Sequence, residues 1–445
     1  MSRYGVLGQP FDQAQWHPYA PNLQEDRTPW SCATAAGESL MDLHESEDLV
    51  RFRAEAVAWL DAHAPRPGSA GDFTVGRERP FVDGCRRWQA TLSEAGWAGV
   101  AWPVDFGGQG RSALFELVFR REQARYGVST AAFDVGIGMV GPTLMVHGTD
   151  AQKASHLPAL LRGEEVWCQM FSEPGAGSDL AGLSTAARRR PGGWTINGQK
   201  VWTSYARFAD FAILLARSDA ARPKHHGLTC FLVDMRTPGI EIRPIPQMNG
   251  AAEFNQVFLT DVEIPDDAVL GEVDGGWAVA NTMLGSERGL VGEEWPGVAE
   301  LCQIARARGR ATDPLVRQGI AGTFVREQIL HYLDLRIQSR LGNGEPVGAL
   351  ASVFNLFFAD HLRRSGNVAA SLLGPGMLTA PSQIGLAGRW QFHLLTAPSV
   401  RIASGTDEIQ RNILGERALG LPREPRPEPG SSDPSLRPAP ARSQA

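Results

Sequence analysis

The chain has 445 residues, 43% hydrophobic and 21% charged, with a formal net charge of −6 and a pI near 6.0. At roughly 150 residues per domain this implies two or three cores of soluble, globular composition, and the acidic balance gives no electrostatic reason to expect nucleic acid or an anionic membrane as a partner. The five cysteines (Cys32, Cys85, Cys168, Cys230 and Cys302) are scattered without a CxxC pair or a ligand cluster, so neither a disulfide framework nor a metal site is indicated and a reducing interior fits best.

The opening MSRYGVLGQPFDQAQW lacks the basic start and apolar stretch of a signal peptide, and no run of about 18 apolar residues follows, which gives a cytoplasmic expectation. Residues 1–45 read as an extension without periodicity. From Ser46 to about Glu165 apolar residues recur at helical spacing, as in Val50, Phe52, Ala54, Val57, Ala58 and Leu60, and Asp150 before AQKASHLPALL is a candidate helix N-cap. This is an expected α-helical domain over 46–165.

Over 166–275 the pattern turns to short β-branched and aromatic runs: Phe211–Ala216, Leu228–Asp234, Ile240–Pro244 and Gln256–Val262. Asn197-Gly198 between Trp194–Ile196 and Gln199–Tyr205 predicts a hairpin with a type I′ turn, because Asn-Gly accepts positive φ at both central positions. Helical spacing returns over 276–421, and the Pro- and Ser-rich stretch 422–445 is expected to be disordered.

No GxGxxG follows a strand and opens a helix, and no Walker loop, HExxH or GxSxG occurs in the chain. His225-His226, in a polar turn after Pro223, reads as merely solvated. PGAGSD, in contrast, offers an anion-binding turn: Gly175 and Gly177 allow close backbone approach, Ser178 adds a hydroxyl, and Asp179 could cap the next helical turn.

The longer string WCQMFSEPGAGSDLAG, followed by NGQKVWTSYA, closely resembles the acyl-CoA dehydrogenase family. GWAGVAWPVDFGGQG, HGTDAQKASHLPALLRGEE and GTDEIQRNILGERALGLP extend the resemblance over nearly all of 46–422. It implies an α+β architecture: an N-terminal helical domain, a middle β-barrel and a C-terminal four-helix bundle, with FAD between barrel and bundle. Carried over by position, Phe171 and Ser172 face the flavin ring, with Met170 beside them. Gly177 and Ser178 lie near the pyrophosphate and the acyl thioester. Trp202 packs on the isoalloxazine, with Thr203 adjacent; Ser204 bonds near flavin N5; Thr406 and Glu408 reach the adenosine part. Without the flanking motif, Trp202 would read as an ordinary core aromatic on a strand.

The activity implied is α,β-dehydrogenation of an acyl-CoA to the trans-2-enoyl-CoA, in which a carboxylate removes the α-proton as hydride leaves for flavin N5. Many members hold that Glu immediately before the Gly-Thr of the C-terminal motif, where this chain has Ser404. A subset holds it early in the C-terminal region, just ahead of an arginine, and MLGSERGLVG places Glu287 there, with Arg288 at the substrate. The inter-subunit elements Arg-x-x-Phe-Gly and Gln-x-x-Gly-Gly-x-Gly are not reproduced: ARARGRATDPLVRQ offers Arg306 or Arg308, and LLGPGMLTAPSQIGLAG replaces the second. Expected partners are the acyl-CoA, an electron-transfer flavoprotein or similar acceptor, and further copies in a dimer or tetramer. Branched, cyclic or steroid-side-chain thioesters fit the resemblance better than straight chains. The rival readings are a flavin oxidase or monooxygenase, a carrier-protein thioester dehydrogenase, and a non-catalytic partner in a hetero-oligomer.

Overall fold

The computed structural model describes residues 46–65, 78–287, 295–379 and 385–423. The extension 1–45, nearly all of the tail 422–445, Arg288 and the side chain of Glu287 lie outside them.

The N-terminal domain is built from α1 (Glu47–His63), α2 (Arg79–Glu94), α3 (Ala113–Ala124), α4 (Gly141–His147) and α5 (Asp150–Leu161). Ser46 starts α1, its Oγ accepting the Leu49 amide at 3.2 Å. At α5 the cap is Thr149 and not Asp150. Thr149 Oγ1 accepts from Gln152 N at 3.2 Å while Gln152 Oε1 accepts from Thr149 N at 3.0 Å, a reciprocal capping box that leaves Asp150 in the first turn.

The middle domain contains β1 (Trp167–Met170), β2 (Ala186–Arg190), β3 (Gly193–Ser204), β4 (Phe211–Arg217), β5 (Leu228–Asp234), β6 (Ile240–Pro244), β7 (Phe254–Pro265) and β8 (Val269–Leu270). They form one sheet in the order β6-β7-β3-β2-β4-β5-β8, with β1 parallel to β4. This is the β-domain expected between the two helical regions; its edge strands, β6 and β8, are not paired with each other among the described residues.

The expected Asn197-Gly198 hairpin is absent, because β3 runs straight through those residues along β7. The turn is instead Pro191-Gly192, between Arg190 and Gly193, where proline presets φ and Gly192 takes φ +76°. Asn197 sits at a register shift against β7 and exchanges hydrogen bonds with Asp261 at 2.9 Å in both directions. A Cβ on Gly198 would stand 2.4 Å from Thr185 Oγ1 and 2.8 Å from its Cα. Gly198→Ala should therefore lower the urea midpoint by an amount equivalent to about 1–3 kcal/mol, the cost of overpacking; an unchanged midpoint would contradict this packing.

The C-terminal region holds α6 (Gly276–Glu287), α7 (Val298–Ala307), α8 (Pro314–Gly342), α9 (Leu350–Leu373), α10 (Gly385–Val400) and α11 (Asp407–Ile413). Helices α7–α10 pack around Leu301, Ile304, Val316, Leu372 and Trp390. Helix α6 does not join that core. Its Val279, Ala280 and Met283 are buried with the N-terminal cluster, against α4 and β5. The helix that ends in Glu287 is thus fixed to the first two domains.

Candidate active site

The glycine loop is set by what lies beneath it. After β1, Glu173 and Ala176 exchange backbone hydrogen bonds at 3.0 Å, closing a tight turn over Pro174-Gly175. The Glu173 side chain is buried and accepts from Ser184 N (2.7 Å), Ser184 Oγ (2.8 Å), Thr185 N (2.9 Å) and Lys200 Nζ (2.9 Å). Lys200 Nζ also donates to the Phe171 carbonyl at 2.9 Å. Burial works to raise the Glu173 pKa, but the Lys200 ammonium and the hydrogen-bond donors hold it down to about 2. Burial draws the Lys200 ammonium down to about 8, so the pair is ionised at neutral pH. Glu173 thus anchors the loop from below.

Above this base, Gly175 and Gly177 are exposed, and a Cβ on either would meet nothing within 4 Å. Ser178 is exposed beside them. Asp179 makes no cap; its carboxylate accepts from Lys224 Nζ at 2.6 Å. His226 is exposed, whereas His225 stands edge-on to Trp277 with ring centroids 4.9 Å apart, so only one of the pair is merely solvated.

Trp202 is 59% exposed. It sits where the β3–β7 register slips between Lys200 and Thr203, and φ +62° turns its residue out of the strand. The indole meets Phe254 edge-on at 6.1 Å. It is not a core aromatic. A non-glycine residue held in the left-handed region is an energetic cost that clusters at ligand clamps. Thr203 is fully buried, with Oγ1 unpartnered, and Ser204 is half-buried. The side chains of Met170 and Phe171 are buried, in two different cores. The half-buried Ser172 accepts from Val201 N at 2.9 Å through its carbonyl, which brings the loop beside β3. An exposed indole, a bare glycine turn and a serine hydroxyl fit the ring and the pyrophosphate of a dinucleotide flavin. Trp202→Ala should weaken FAD binding about tenfold with an unchanged melting temperature, read by FAD fluorescence titration. Loss of the fold would make the ring structural instead.

At the C-terminal motif, Thr406 caps α11 through Oγ1 to Ile409 N at 3.3 Å, and Glu408 is exposed, near Arg411 at 3.6 Å. Asp407 is buried and paired with Arg401. Ser404 takes φ +55°, and Gln410 Nε2 donates to its carbonyl at 2.8 Å. Arg306 and Arg308, at the end of α7, are exposed.

The feature that sequence reasoning missed is a cleft of about 730 Å³ between α3, α4, the end of α6, α8, α9 and α11. Its walls include Trp102, Leu117, Ile137, Met145, Leu341 and Phe354. Ser286, the residue before Glu287, and Ser404 both line it. None of the expected flavin residues is among those that line it.

Three family profiles match in tandem: "Acyl-CoA dehydrogenase, N-terminal domain" over residues 46–164, the middle domain over 168–262 and the C-terminal domain over 274–419. The chain is 36% identical over 390 residues to the acyl-CoA dehydrogenase IpdE1 of Mycobacterium tuberculosis, covering 85% of this chain and 99% of that one. It is 37% identical over 336 residues to FadE34 of the same organism, covering 75% of this chain and 46% of that one. Among solved structures, the "Tcur3481-Tcur3483 steroid ACAD" superposes with a TM-score of 0.74 at 29% identity, covering 86% of this chain and all (100%) of that one. The ChsE4-ChsE5 complex from Mycobacterium tuberculosis gives a TM-score of 0.70 at 27% identity, with coverage of 86% and 100%.

Proposed function

Because the chain belongs to the acyl-CoA dehydrogenase family, FAD-dependent oxidoreductases of CH–CH groups, we propose that it desaturates a bulky, ring-bearing acyl-CoA at the α,β bond with Glu287 as the base. The observation that carries this reading is the cleft. It is bounded at one place by Ser286, next to Glu287, and at another by Ser404, where many relatives hold their base. With serine at the second position, the register of MLGSERGLVG makes Glu287 the proposed base for the α-proton.

Bound FAD supplies the oxidant that accepts the hydride from the β-carbon. The chain's own part is positioning and proton transfer. Ser286 Oγ donates to Thr282 O at 3.2 Å, and His147 Nε2 lies 2.8 Å from Thr282 Oγ1, so α6 is tied to α4 one turn before the base. Trp202 and Ser204 would flank the ring; Gly177 and Ser178 would hold the pyrophosphate and thioester side; Thr406 and Glu408 would serve the adenosine part, and Arg306 or Arg308 the flavin of a neighbouring subunit; Arg288 would assist at the substrate.

Size and lining of the cleft both favour a bulky acyl group. The cleft volume falls in the range of about 300–1,000 Å³ that encloses a drug-sized ligand, and its walls include Trp102, Trp295, Phe354 and Phe358 together with several branched aliphatic side chains. The steroid acyl-CoA dehydrogenase named above points the same way by analogy. Electrons would pass on to an electron-transfer flavoprotein or similar carrier. Turnover of a decalin-propanoyl-CoA with an artificial acceptor, against octanoyl-CoA, tests the proposal. A higher kcat/KM for the ring substrate and a trans-2-enoyl product are expected; preference for octanoyl-CoA would overturn the ring assignment.

A second reading, pairing with a homologous chain, is favoured by the exposed Arg306 and Arg308 without a following Phe-Gly and by the altered 372–388 segment. The ChsE4-ChsE5 structure is itself a two-protein complex. Full FAD occupancy in the chain purified alone would argue against that reading.

A further inference from the structure

We infer that His147 is a positioning residue for proton abstraction, holding the C-terminal half of α6 so that Glu287 meets the substrate α-carbon. The inference rests on the proposed base and adds a residue that acts through it. Two kinds of contact fix α6. At its start, a Cβ on Gly276 would stand 2.8 Å from the Leu228 carbonyl oxygen, so the helix begins in backbone contact with β5. Val279, Ala280 and Met283 are then buried in the N-terminal cluster. Apolar burial is non-directional and leaves a helix free to rotate or slide by small amounts, whereas a hydrogen bond fixes direction as well as distance.

From Thr282 onward the helix carries Ser286 to the cleft and ends in Glu287. Among the described residues, one polar side-chain contact ties this half of α6 to another element: His147 Nε2 lies 2.8 Å from Thr282 Oγ1. The Thr282 hydroxyl donates to the Ala278 carbonyl at 3.2 Å, so its proton is committed and the imidazole is the donor. Ser286 Oγ in turn donates to the Thr282 carbonyl at 3.2 Å, which carries the constraint along one turn to the residue beside the base. His147 is half-buried at the end of α4. A Cβ on Gly271 would stand 2.9 Å from Val279 Cγ2 and 3.9 Å from His147 Cβ, so the turn after β8, α4 and α6 converge on this residue. Burial lowers the His147 pKa, which keeps the ring uncharged at neutral pH and makes glutamine a like-charged replacement for the donor. Proton transfer needs the base within hydrogen-bond reach of the α-proton, and a misplacement of about 1 Å costs about 10²-fold in rate.

The test is anaerobic flavin bleaching on the FAD-loaded protein, with whichever of decalin-propanoyl-CoA and octanoyl-CoA bleaches wild type faster. His147→Phe and Thr282→Val should each slow the saturated rate about 10- to 100-fold, with the half-saturating substrate concentration within about twofold of wild type. His147→Gln, which keeps a donor of similar reach, should stay within about threefold of the wild-type rate. The Glu287→Gln background separates positioning from general damage. There, His147→Phe should slow the residual bleaching by less than about twofold, because no base remains to be positioned. Should His147→Phe fail to load FAD, Thr282→Val on both backgrounds carries the same comparison. Equal slowing on both backgrounds, a wild-type rate in either variant, His147→Gln as slow as His147→Phe, or an effect on half-saturation in place of rate overturns the inference and leaves Glu287 as the base. If Glu287→Gln itself bleaches like wild type, the base assignment fails and takes the inference with it.

Discussion

Glu287→Gln should fold and load FAD like wild type, yet bleach the oxidised flavin band about 10²–10⁴-fold more slowly on mixing with substrate, the range spanned by loss of a positioned general base. The substitution is nearly isosteric and removes only proton affinity. Ser286 and Ser404 border the same cleft, so the two positions offer alternative approaches to one substrate. Ser404→Glu placed on the Glu287→Gln background should therefore recover part of the rate. Bleaching by Glu287→Gln as fast as wild type would remove Glu287 from the mechanism. Reduced flavin that reoxidises rapidly in air, with no need of a carrier, would favour the oxidase reading.

The second large effect concerns stability. Lys200 is completely buried against Glu173, with the pair 2.9 Å apart. Lys200→Met leaves a buried carboxylate with only the Ser184 and Thr185 donors, and should cost about 3–5 kcal/mol, the penalty for breaking a buried pair by removing one partner. Adding Glu173→Gln should restore much of the loss. The pH dependence distinguishes this from a packing defect. In wild type the folded-state pKa of Glu173, about 2, lies below its ordinary 4.5, so its contribution is present above that ordinary value and is lost as pH falls towards 2. In Lys200→Met the ammonium no longer opposes burial, the carboxyl pKa rises, and destabilisation grows as pH rises. Urea unfolding between pH 4 and 8 reads this reversal of slope. Because Lys200 also holds the Phe171 carbonyl at 2.9 Å, the variant should release FAD more readily.

Much of this architecture is legible in the sequence because burial imposes a period. The helical spacing from Ser46, the strands Leu228–Asp234 and Ile240–Pro244, and the return of helices after Gly275 are all found as read. The failures have local causes. Asn197-Gly198 has strong turn chemistry, but a competing Pro191-Gly192 turn closes β2 on β3, and pairing along β7 keeps Asn197 in a strand. Asp150 lost the cap to its neighbour because Thr149 is matched three residues on by Gln152. The exposure of Trp202 depends on a positive φ that spacing does not encode. Helix α6 reads as the start of the bundle, yet its apolar face packs on α4 and β5. The cleft was beyond reach for a different reason: Trp102 and Phe354 are about 250 positions apart, and only tertiary packing brings them to one wall.

The central claim is that this chain removes an α-proton from a thioester while its flavin is reduced. The direct measurement is anaerobic mixing of the FAD-loaded protein with decalin-propanoyl-CoA, following the oxidised flavin band and the enoyl-CoA formed. One enoyl-CoA per flavin bleached is predicted, with the rate lowered by an α-deuterium label. An unbleached flavin with this thioester, and with every other acyl-CoA in a panel of straight and ring-bearing chains, would contradict it.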